Sequence, residues 1–265
     1  MVLFPTKPED YAAKPSPSLS EWQALWTAWD VVTQHMIPAD QLLSKPIKLR
    51  NECIFYLGHI PTFLDMHVAR ATDGKPSDPA YFWSIFERGI DPDVEDPTQC
   101  HTHSDVPDEW PPLTVILDYQ QRVREKVEAL YTSRQGELDG RVCQAMWLGF
   151  EHEAMHLETL LYMLIQSEKV LPPPGTVVPD FVALAKQSDT LAVENNWFTI
   201  PESDFDIGLD DQSGHHLWDN EKPRRHVHVD SFRAKARPIT NGEYATYLVE
   251  TGKTGTSRLA FGPSK

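Results

Sequence analysis

The sequence lacks the features of a membrane protein, an exported protein or a disulfide scaffold. No stretch reaches the roughly 20 consecutive apolar residues that a membrane-spanning helix needs, and the N-terminus has no basic start followed by an apolar core. Only three cysteines occur in 265 residues, Cys53, Cys100 and Cys143, and none forms a Cys-x-x-Cys pair. They predict neither a disulfide framework nor a thiolate zinc site. We therefore expect a soluble protein of the reducing cytoplasm.

Basic residues are also scarce. Lysine and arginine total 24 against 39 aspartates and glutamates, which gives a net charge of -15. A surface of this charge repels the phosphate backbone of nucleic acids and anionic membranes. We expect small-molecule or protein partners, no nucleic acid and no membrane, and the sequence leaves the oligomeric state open.

Four long segments show the apolar periodicity of helices that share a core. They run from Ser18 to Met36, from Ile47 to Arg70, from Pro112 to Thr132 and from Leu138 to Ser167. The first opens on a cap-like Ser-Leu-Ser-Glu, and Pro61 should bend the second or start a new turn. Four such helices predict a bundle, in which metal sites are built from side chains on facing helices.

The composition changes after the last helix, where three prolines and a glycine (172–175) predict the opening of a linker. We expect a helical bundle over residues 1–170, a linker over 171–195 and a second domain over 196–265. The second domain has short candidate strands and a capped helix, so the predicted fold class is α plus α+β. The candidate strands run from Trp197 to Ile200, from Phe205 to Gly208 and from His226 to Phe232, and the helix from Thr240 to Val249.

His152 and His156 are the strongest candidates for a functional site. They lie four residues apart in a predicted helix, so both rings leave the same face. Two neutral imidazoles in this arrangement can hold a divalent metal if a third ligand arrives from elsewhere, and His59 in the second helix is a candidate. The alternative is an ordinary core histidine bonded to a backbone carbonyl. Glu158 faces away from the pair and is a poor third ligand.

Other histidines compete with this pair. His101 and His103 lie in a polar, acidic loop, where exposed histidines are common. His226 and His228 share one face of a candidate strand, which favours a half-exposed sheet face over a metal site. The adjacent pair His215-His216 is a further cluster with no supporting pattern.

Several segments resemble the nonheme-iron sulfoxide synthases of ergothioneine biosynthesis, and their sequences look most like those of the fungal members. The resemblance rests on two motifs, Leu57-Gly58-His59-Ile60-Pro61 and the His-x-x-x-His-x-Glu motif of residues 152–158. The resemblance implies a DinB-like (damage-inducible-B-like) four-helix bundle in which His59, His152 and His156 hold Fe(II). Residues 205–208, 220–229 and 238–244 resemble the opening of a formylglycine-generating-enzyme-like, C-type-lectin-like domain, the sulfatase-modifying-factor type, which would be C-terminally truncated here.

The implied reaction forms a C–S bond between hercynine (trimethylhistidine) and cysteine or γ-glutamylcysteine. It uses O₂ and yields a sulfoxide, so the implied enzyme is an iron-dependent oxidoreductase. Three neutral nitrogens leave half of an octahedral iron open for a thiolate, an imidazole and dioxygen. The preferred thiol, and whether a methyltransferase domain normally precedes this region, stay open.

The resemblance also places substrate-binding and catalytic residues. Arg88 stands where the family has an arginine that binds the carboxylate of the thiol substrate, which suits its bidentate fork. The alternative is a solvated arginine paired with Glu87 or Asp91. Met155 replaces a glutamine that binds the imidazole substrate in bacterial relatives, so recognition must differ. The tyrosine that donates a proton in the family would lie beyond Lys265, so no catalytic residue is assigned.

Two other functions fit the same residues. A DinB-like metal-dependent thiol transferase holds zinc or nickel with three histidines and attacks electrophiles without O₂. A chain that ends within its second domain can also be a truncated or inactive form, or a non-catalytic partner of a full-length enzyme. Metal analysis and oxygen dependence separate the synthase from the transferase, and size-exclusion behaviour with and without the longer protein tests the non-catalytic partner.

Overall fold

A computed structural model describes residues 16–48, 50–87, 90–92, 100–102, 107–133, 138–210 and 217–253. The chain divides into two compact units, one of residues 1–177 and 208–223 and the other of residues 178–207 and 224–265. Helices and small antiparallel sheets confirm the expected mixture of α and β structure. The DinB-like and lectin-like identities of the predicted domains, and their boundaries, stay predictions.

The first unit is mainly helical. Its elements are α1 (Leu19–Asp30), a π-helical turn (Val31–Met36), a 3-10 turn (Ala39–Gln41), α2 (Cys53–Ala71), α3 (Phe82–Phe86), β1 (Ile90–Pro92), β2 (Cys100–Thr102), α4 (Leu113–Ser133), α5 (Gly140–Leu164) and a 3-10 turn (Asp219–Glu221). The strands β1 and β2 form an antiparallel pair. The four predicted helices correspond to α1 with its π-helical extension, α2, α4 and α5.

The start of α1 follows from its first residues. The Ser18 side chain accepts a hydrogen bond from the backbone N–H of Glu21, and the Glu21 carboxylate bonds back to the Ser18 backbone. This reciprocal pair satisfies two backbone donors at the helix start. The predicted apolar face is the buried face and comprises Trp22, Leu25, Trp26 and Trp29.

The central element of the first unit is α2. It contacts α3, α4 and α5, while α1 contacts α5. Most residues of α2 are buried, which its predominantly apolar sequence requires. Pro61 lies inside α2, and the helix continues from Cys53 to Ala71 without interruption. Pro61 therefore does not start a new turn, since packing on several sides holds the helix together where one backbone hydrogen bond is missing, and the alternative, a bend at Pro61, stays a prediction.

The second unit contains short strands and two helices. Its elements are α6 (Phe181–Thr190), β3 (Trp197–Ile200), β4 (Ser203–Ile207), β5 (Arg225–Val229), β6 (Phe232–Lys235) and α7 (Asn241–Glu250). Strand β3 pairs antiparallel with β6, and β4 pairs antiparallel with β5. The single strand expected between His226 and Phe232 is two strands, because the chain leaves β5 after Val229 and enters the other sheet at Phe232.

Two features of the second unit follow from capping residues. Thr240 and Glu243 form the reciprocal cap at the start of α7, as the sequence predicts. The stretch 171–195, predicted as a linker, contains α6, whose first turn is capped by the Asp180 side chain on the backbone N–H of Ala183. None of the residues of α6 is buried.

No helix of the described ranges is long and apolar enough to cross a membrane.

Candidate metal centre

Three histidines from two helices converge inside the first unit. His59 comes from α2, and His152 and His156 come from successive turns of α5. One ring nitrogen of each lies within 4.8 Å of those of the other two. His59 and His152 are 4% and 7% exposed. The structure thus brings together the three residues that the resemblance assigns as ligands, and the assignment itself stays a prediction.

Close approach of neighbouring elements places these rings. Gly149 lies one turn before His152, and a Cβ at this position would come 2.5 Å from Cδ1 of Leu64 on α2. Gly58 lies directly before His59, and a Cβ there would fall against the ring of Phe86. Both glycines therefore let backbone approach a neighbouring element more closely than alanine would. This approach brings α2, α5 and the end of α3 around the histidines.

The orientation of His59 is fixed by a backbone carbonyl. Its Nδ1 lies 2.7 Å from the carbonyl oxygen of Phe86, so Nδ1 carries the hydrogen and donates. The ring also stacks on Phe55, with 5.1 Å between ring centroids. Nε2 of His59 is therefore the nitrogen with a free lone pair, as in metal sites where the second nitrogen of a ligand histidine bonds a carbonyl.

A buried carboxylate holds the segment that presents the Phe86 carbonyl. Asp65 of α2 accepts hydrogen bonds from the backbone N and Oγ of Ser77, at 2.8 and 2.7 Å, and from Nε1 of Trp83 at 2.8 Å. It also receives Nζ of Lys126 from α4 at 2.8 Å. Asp65 thus ties α2 to α4 and to the stretch that leads into α3.

The two histidines of α5 have a different environment. Phe63 stacks on His152, with ring centroids 3.7 Å apart and an interplanar angle of 16°. Nδ1 of His152 and Nδ1 of His156 are buried, and no described residue forms a hydrogen bond with either. Each ring therefore retains unsatisfied polar capacity inside the protein, which is costly without a ligand or water.

Burial keeps all three rings neutral. Loss of solvation lowers the pKa of His59 to about 4, although its bond to Phe86 opposes the shift. Burial, followed by electrostatic repulsion of a second proton by His59 and Arg50, lowers the pKa of His156 to about 3. The pKa of His152 also falls well below 6.5, chiefly through burial and then through the neighbouring histidines. At neutral pH all three rings are uncharged and have lone pairs for a cation.

This donor set fits a divalent transition metal. Three neutral imidazoles suit zinc, iron, copper and nickel, and they leave positions open for further ligands. Metal–nitrogen bonds are about 2.0–2.1 Å for zinc, so small side-chain rotations are enough to bring three nitrogens at this spacing onto one ion. The partnerless ring nitrogens and the low pKa values agree with such a ligand.

A cavity of about 380 Å³ opens next to the histidines. This volume lies in the range of small-molecule sites, about 300–1,000 Å³. Apolar and aromatic side chains make up much of the wall, and a few polar side chains lie among them. Besides the three histidines, the lining comprises Arg50, Asn51, Tyr56, Phe63, Glu87, Met155, Thr159, Leu160, Tyr162 and Met163.

The remaining predicted residues lie elsewhere. Arg88 lies outside the described residues, as do His103 and the pair His215-His216. His101 belongs to β2. Glu158 is exposed on α5, as expected from its angle to the histidine pair.

His226 and His228 lie on the exposed face of β5, where they meet aspartates of β4. Nδ1 of His226 is 3.1 Å from Asp206, and Nδ1 of His228 is 2.9 Å from Asp204. Both histidine side chains are more than half exposed, at 68% and 51%. The two residues thus form exposed cross-strand pairs, in agreement with the sheet-face interpretation.

Sequence reasoning missed two groups near the centre. Arg50 and Tyr162 line the cavity, and nothing in their local pattern separates them from ordinary surface residues. The second is Glu153, which is only 3% exposed. Burial raises its pKa to about 8, with the charge of Arg124 opposing and that of Asp30 adding to the shift. The sequence feature that could have pointed to Glu153 is its position directly after His152.

No protein-family model matches the chain. Ergothioneine biosynthesis protein 1 of Neurospora crassa is 53% identical over 255 residues, which cover 94% of this chain and 29% of that protein. Ergothioneine biosynthesis protein 1 of Schizosaccharomyces pombe is 34% identical over 265 residues, which cover 91% of this chain and 34% of that protein. The chain spans about a third of the length of these relatives. Over almost its whole length, the chain is therefore a homologue of ergothioneine biosynthesis protein 1 from these two organisms.

Proposed function

We propose that this chain forms the metal-binding part of an Fe(II)- and O₂-dependent sulfoxide synthase of ergothioneine biosynthesis. The reaction joins hercynine to cysteine or γ-glutamylcysteine. The observation that carries the proposal is the buried group of His59, His152 and His156 beside a cavity of substrate size, in a chain similar to proteins named for this pathway. Arg88 is proposed to bind the carboxylate of the thiol substrate.

The overall reaction balances with one molecule of O₂. The carbon–sulfur bond replaces one C–H and one S–H bond, one oxygen atom joins the sulfur as the sulfoxide, and the other leaves as water with the two hydrogens. Both substrates are oxidised and O₂ is fully reduced. Bound Fe(II) would supply redox activation of O₂ and a binding position for the thiolate.

Residues of this chain supply the metal ligands, fix the orientation of one ligand ring and limit the access of water. The three imidazoles stay neutral at physiological pH, so they can act as ligands without losing a proton first. The Phe86 carbonyl fixes the His59 ring. Phe63 and Leu160 form apolar parts of the cavity wall and limit the water that can reach the reacting groups.

The first test measures the site without requiring turnover. The chain, loaded anaerobically, should bind one Fe(II), and His152→Ala should lose it. Cobalt(II) in place of iron should show a change in its visible spectrum with cysteine and none with serine, because only the thiolate is a soft ligand. Full metal occupancy in His152→Ala, or no response to cysteine, contradicts the proposal.

The second test concerns oxygen. We expect little turnover from the iron-loaded chain, and any sulfoxide that mass spectrometry detects after incubation with cysteine and trimethylhistidine should form only when O₂ is admitted. If the chain instead joins cysteine to an added electrophile such as an alkyl halide, with loss of halide and equally with and without O₂, the result would support the metal-dependent thiol transferase.

A further inference from the structure

Arg50 is a cation at the cavity that the proposed function leaves without a role. It lines the cavity together with the three histidines and is exposed. Among the described residues it forms no ion pair, and its Nη2 donates a hydrogen bond to the hydroxyl of Tyr162 at 3.2 Å. A guanidinium has five N–H donors, so most of its donors remain available.

The neighbours of Arg50 favour an anionic group with several acceptors. The Tyr162 hydroxyl accepts from Arg50, which leaves its own O–H to donate, and Asn51 and Tyr162 also line the cavity. A carboxylate has two oxygens in the geometry that a guanidinium fork bonds bidentately. Holding the guanidinium against Tyr162 also reduces the side-chain freedom that binding would otherwise remove.

The charges of the described lining residues suit a zwitterion. Arg50 carries a positive charge and Glu87 a negative charge, and both line the cavity. An amino acid carries one carboxylate and one ammonium or trimethylammonium group, which matches this pair of opposite charges. A purely apolar ligand would make no use of the guanidinium donors.

We propose that Arg50, held by Tyr162, binds the carboxylate of an amino acid substrate in the cavity beside the three histidines. This inference rests on the proposed function and assigns a substrate-binding residue to it. Arg50 is distinct from Arg88, so the two arginines can serve the two amino acid substrates of the coupling.

The test compares ligands that differ only in the carboxylate. Binding of trimethylhistidine against trimethylhistamine, and of cysteine against cysteamine, is measured calorimetrically on the anaerobic, iron-loaded chain. The wild type should bind the carboxylate-bearing member of at least one pair about tenfold or more tightly, as expected for a charge-assisted hydrogen bond. The pair whose preference is lost in Arg50→Gln identifies the substrate whose carboxylate Arg50 binds.

Variants assign that preference to the residue. Arg50→Gln should abolish it by weakening only the carboxylate-bearing ligand, and Tyr162→Phe should reduce it in part. Lys48→Gln removes a positive charge from the same exposed segment outside the cavity lining and should leave the preference unchanged. Iron content and circular dichroism of each variant separate lost binding from lost folding.

Each failure has a distinct meaning. If the wild type binds both substrates but Arg50→Gln retains the preference, or loses affinity equally for both members of a pair, the role of Arg50 is overturned and the proposed function stands. If the iron-loaded wild type binds neither substrate, both are overturned.

Discussion

Asp65 is a fully buried carboxylate with a charged partner. Burial alone would raise its pKa, but the donated bonds from Lys126, Ser77 and Trp83 outweigh that effect and hold the pKa below its ordinary value. The hydroxyl of Tyr119 also points to it, at 3.3 Å. The ionised form is therefore the one that the surrounding donors select.

We predict that Asp65→Asn destabilises the protein by about 3–5 kcal/mol, the usual cost of breaking a buried ion pair. The amide would present donors to other donors and leave Lys126 without its countercharge. Urea unfolding at neutral pH measures the change. The matched control is Asp73→Asn, because the pair between Asp73 and Arg141 is exposed and should contribute less than about 1 kcal/mol. Equal effects of the two variants would contradict the prediction.

The histidine centre predicts a pH dependence of the metal-free chain. His59 has its pKa lowered from 6.5 to about 4 in the folded state, so the unfolded chain binds more protons between these values. Its contribution is present above pH 6.5 and is lost as the pH falls to about 4. At about 1.4 kcal/mol per pKa unit, the loss from His59 is about 3 kcal/mol. Urea unfolding at pH 7 and pH 4.5 should show a smaller loss for His59→Asn, which keeps a donor for the Phe86 carbonyl.

At the level of single residues, the sequence predicts which histidines come together but does not predict which other residues surround them. The spacing of His152 and His156 places both rings on one helix face, and the resemblance adds His59. Arg50 lies more than a hundred residues from its partner Tyr162 in sequence, so no local pattern connects them. The burial of Glu153 depends on how α5 is rotated against its neighbours, which the spacing of apolar residues defines only broadly.

Among the elements, α2 and α3 meet at the point where Gly58 faces Phe86. Phe86 is fully buried, stacks on Trp110 with 5.5 Å between centroids, and offers its carbonyl to His59. Any side chain at position 58 must displace this ring or the backbone that bears it. The contact between the two helices and the orientation of His59 are therefore coupled.

We predict that Gly58→Ala destabilises the protein by about 1–3 kcal/mol, the typical cost of overpacking a core. It should also weaken metal binding, because the carbonyl that orients His59 moves with Phe86. Gly140→Ala is the control, since a Cβ at the start of α5 meets nothing within 4 Å. Thermal unfolding and metal titration measure both effects. Unchanged values for Gly58→Ala would show that Phe86 moves aside at no cost.

Element boundaries were predictable where local chemistry decides them. Ser18 and Thr240 each cap a helix by bonding to a residue three positions later, so both helix starts can be predicted from the sequence. The π-helical turn after α1 cannot be predicted in this way, because it involves the packing of Val32 and Met36 against the core. The Asp180 cap of α6 is also a local pattern, but the preceding prolines favour a linker.

Across the whole molecule, the histidine centre joins parts of the chain that are far apart in sequence. His59 and His152 belong to different helices, and only the packing of α2 against α5 brings them together. An unfolded chain has no such preformed site, so metal binding free energy contributes directly to folding. Charge acts in the opposite direction, since a net charge of -15 favours expansion of the chain through self-repulsion.

We therefore predict that metal raises the unfolding midpoint of the chain. At a free concentration about 100 times the Kd, the gain is about 2.7 kcal/mol, and a chelator should reverse it. Anaerobic calorimetry with Fe(II), and with cobalt(II) as a redox-stable substitute, measures the shift. His152→Ala should abolish it, whereas His226→Ala, which removes an exposed histidine of β5, should retain it in full. The comparison is decisive because unfolded histidines also bind metals weakly, and that effect would be the same in both variants. A shift that survives in His152→Ala would show that the ion is held somewhere other than between α2 and α5.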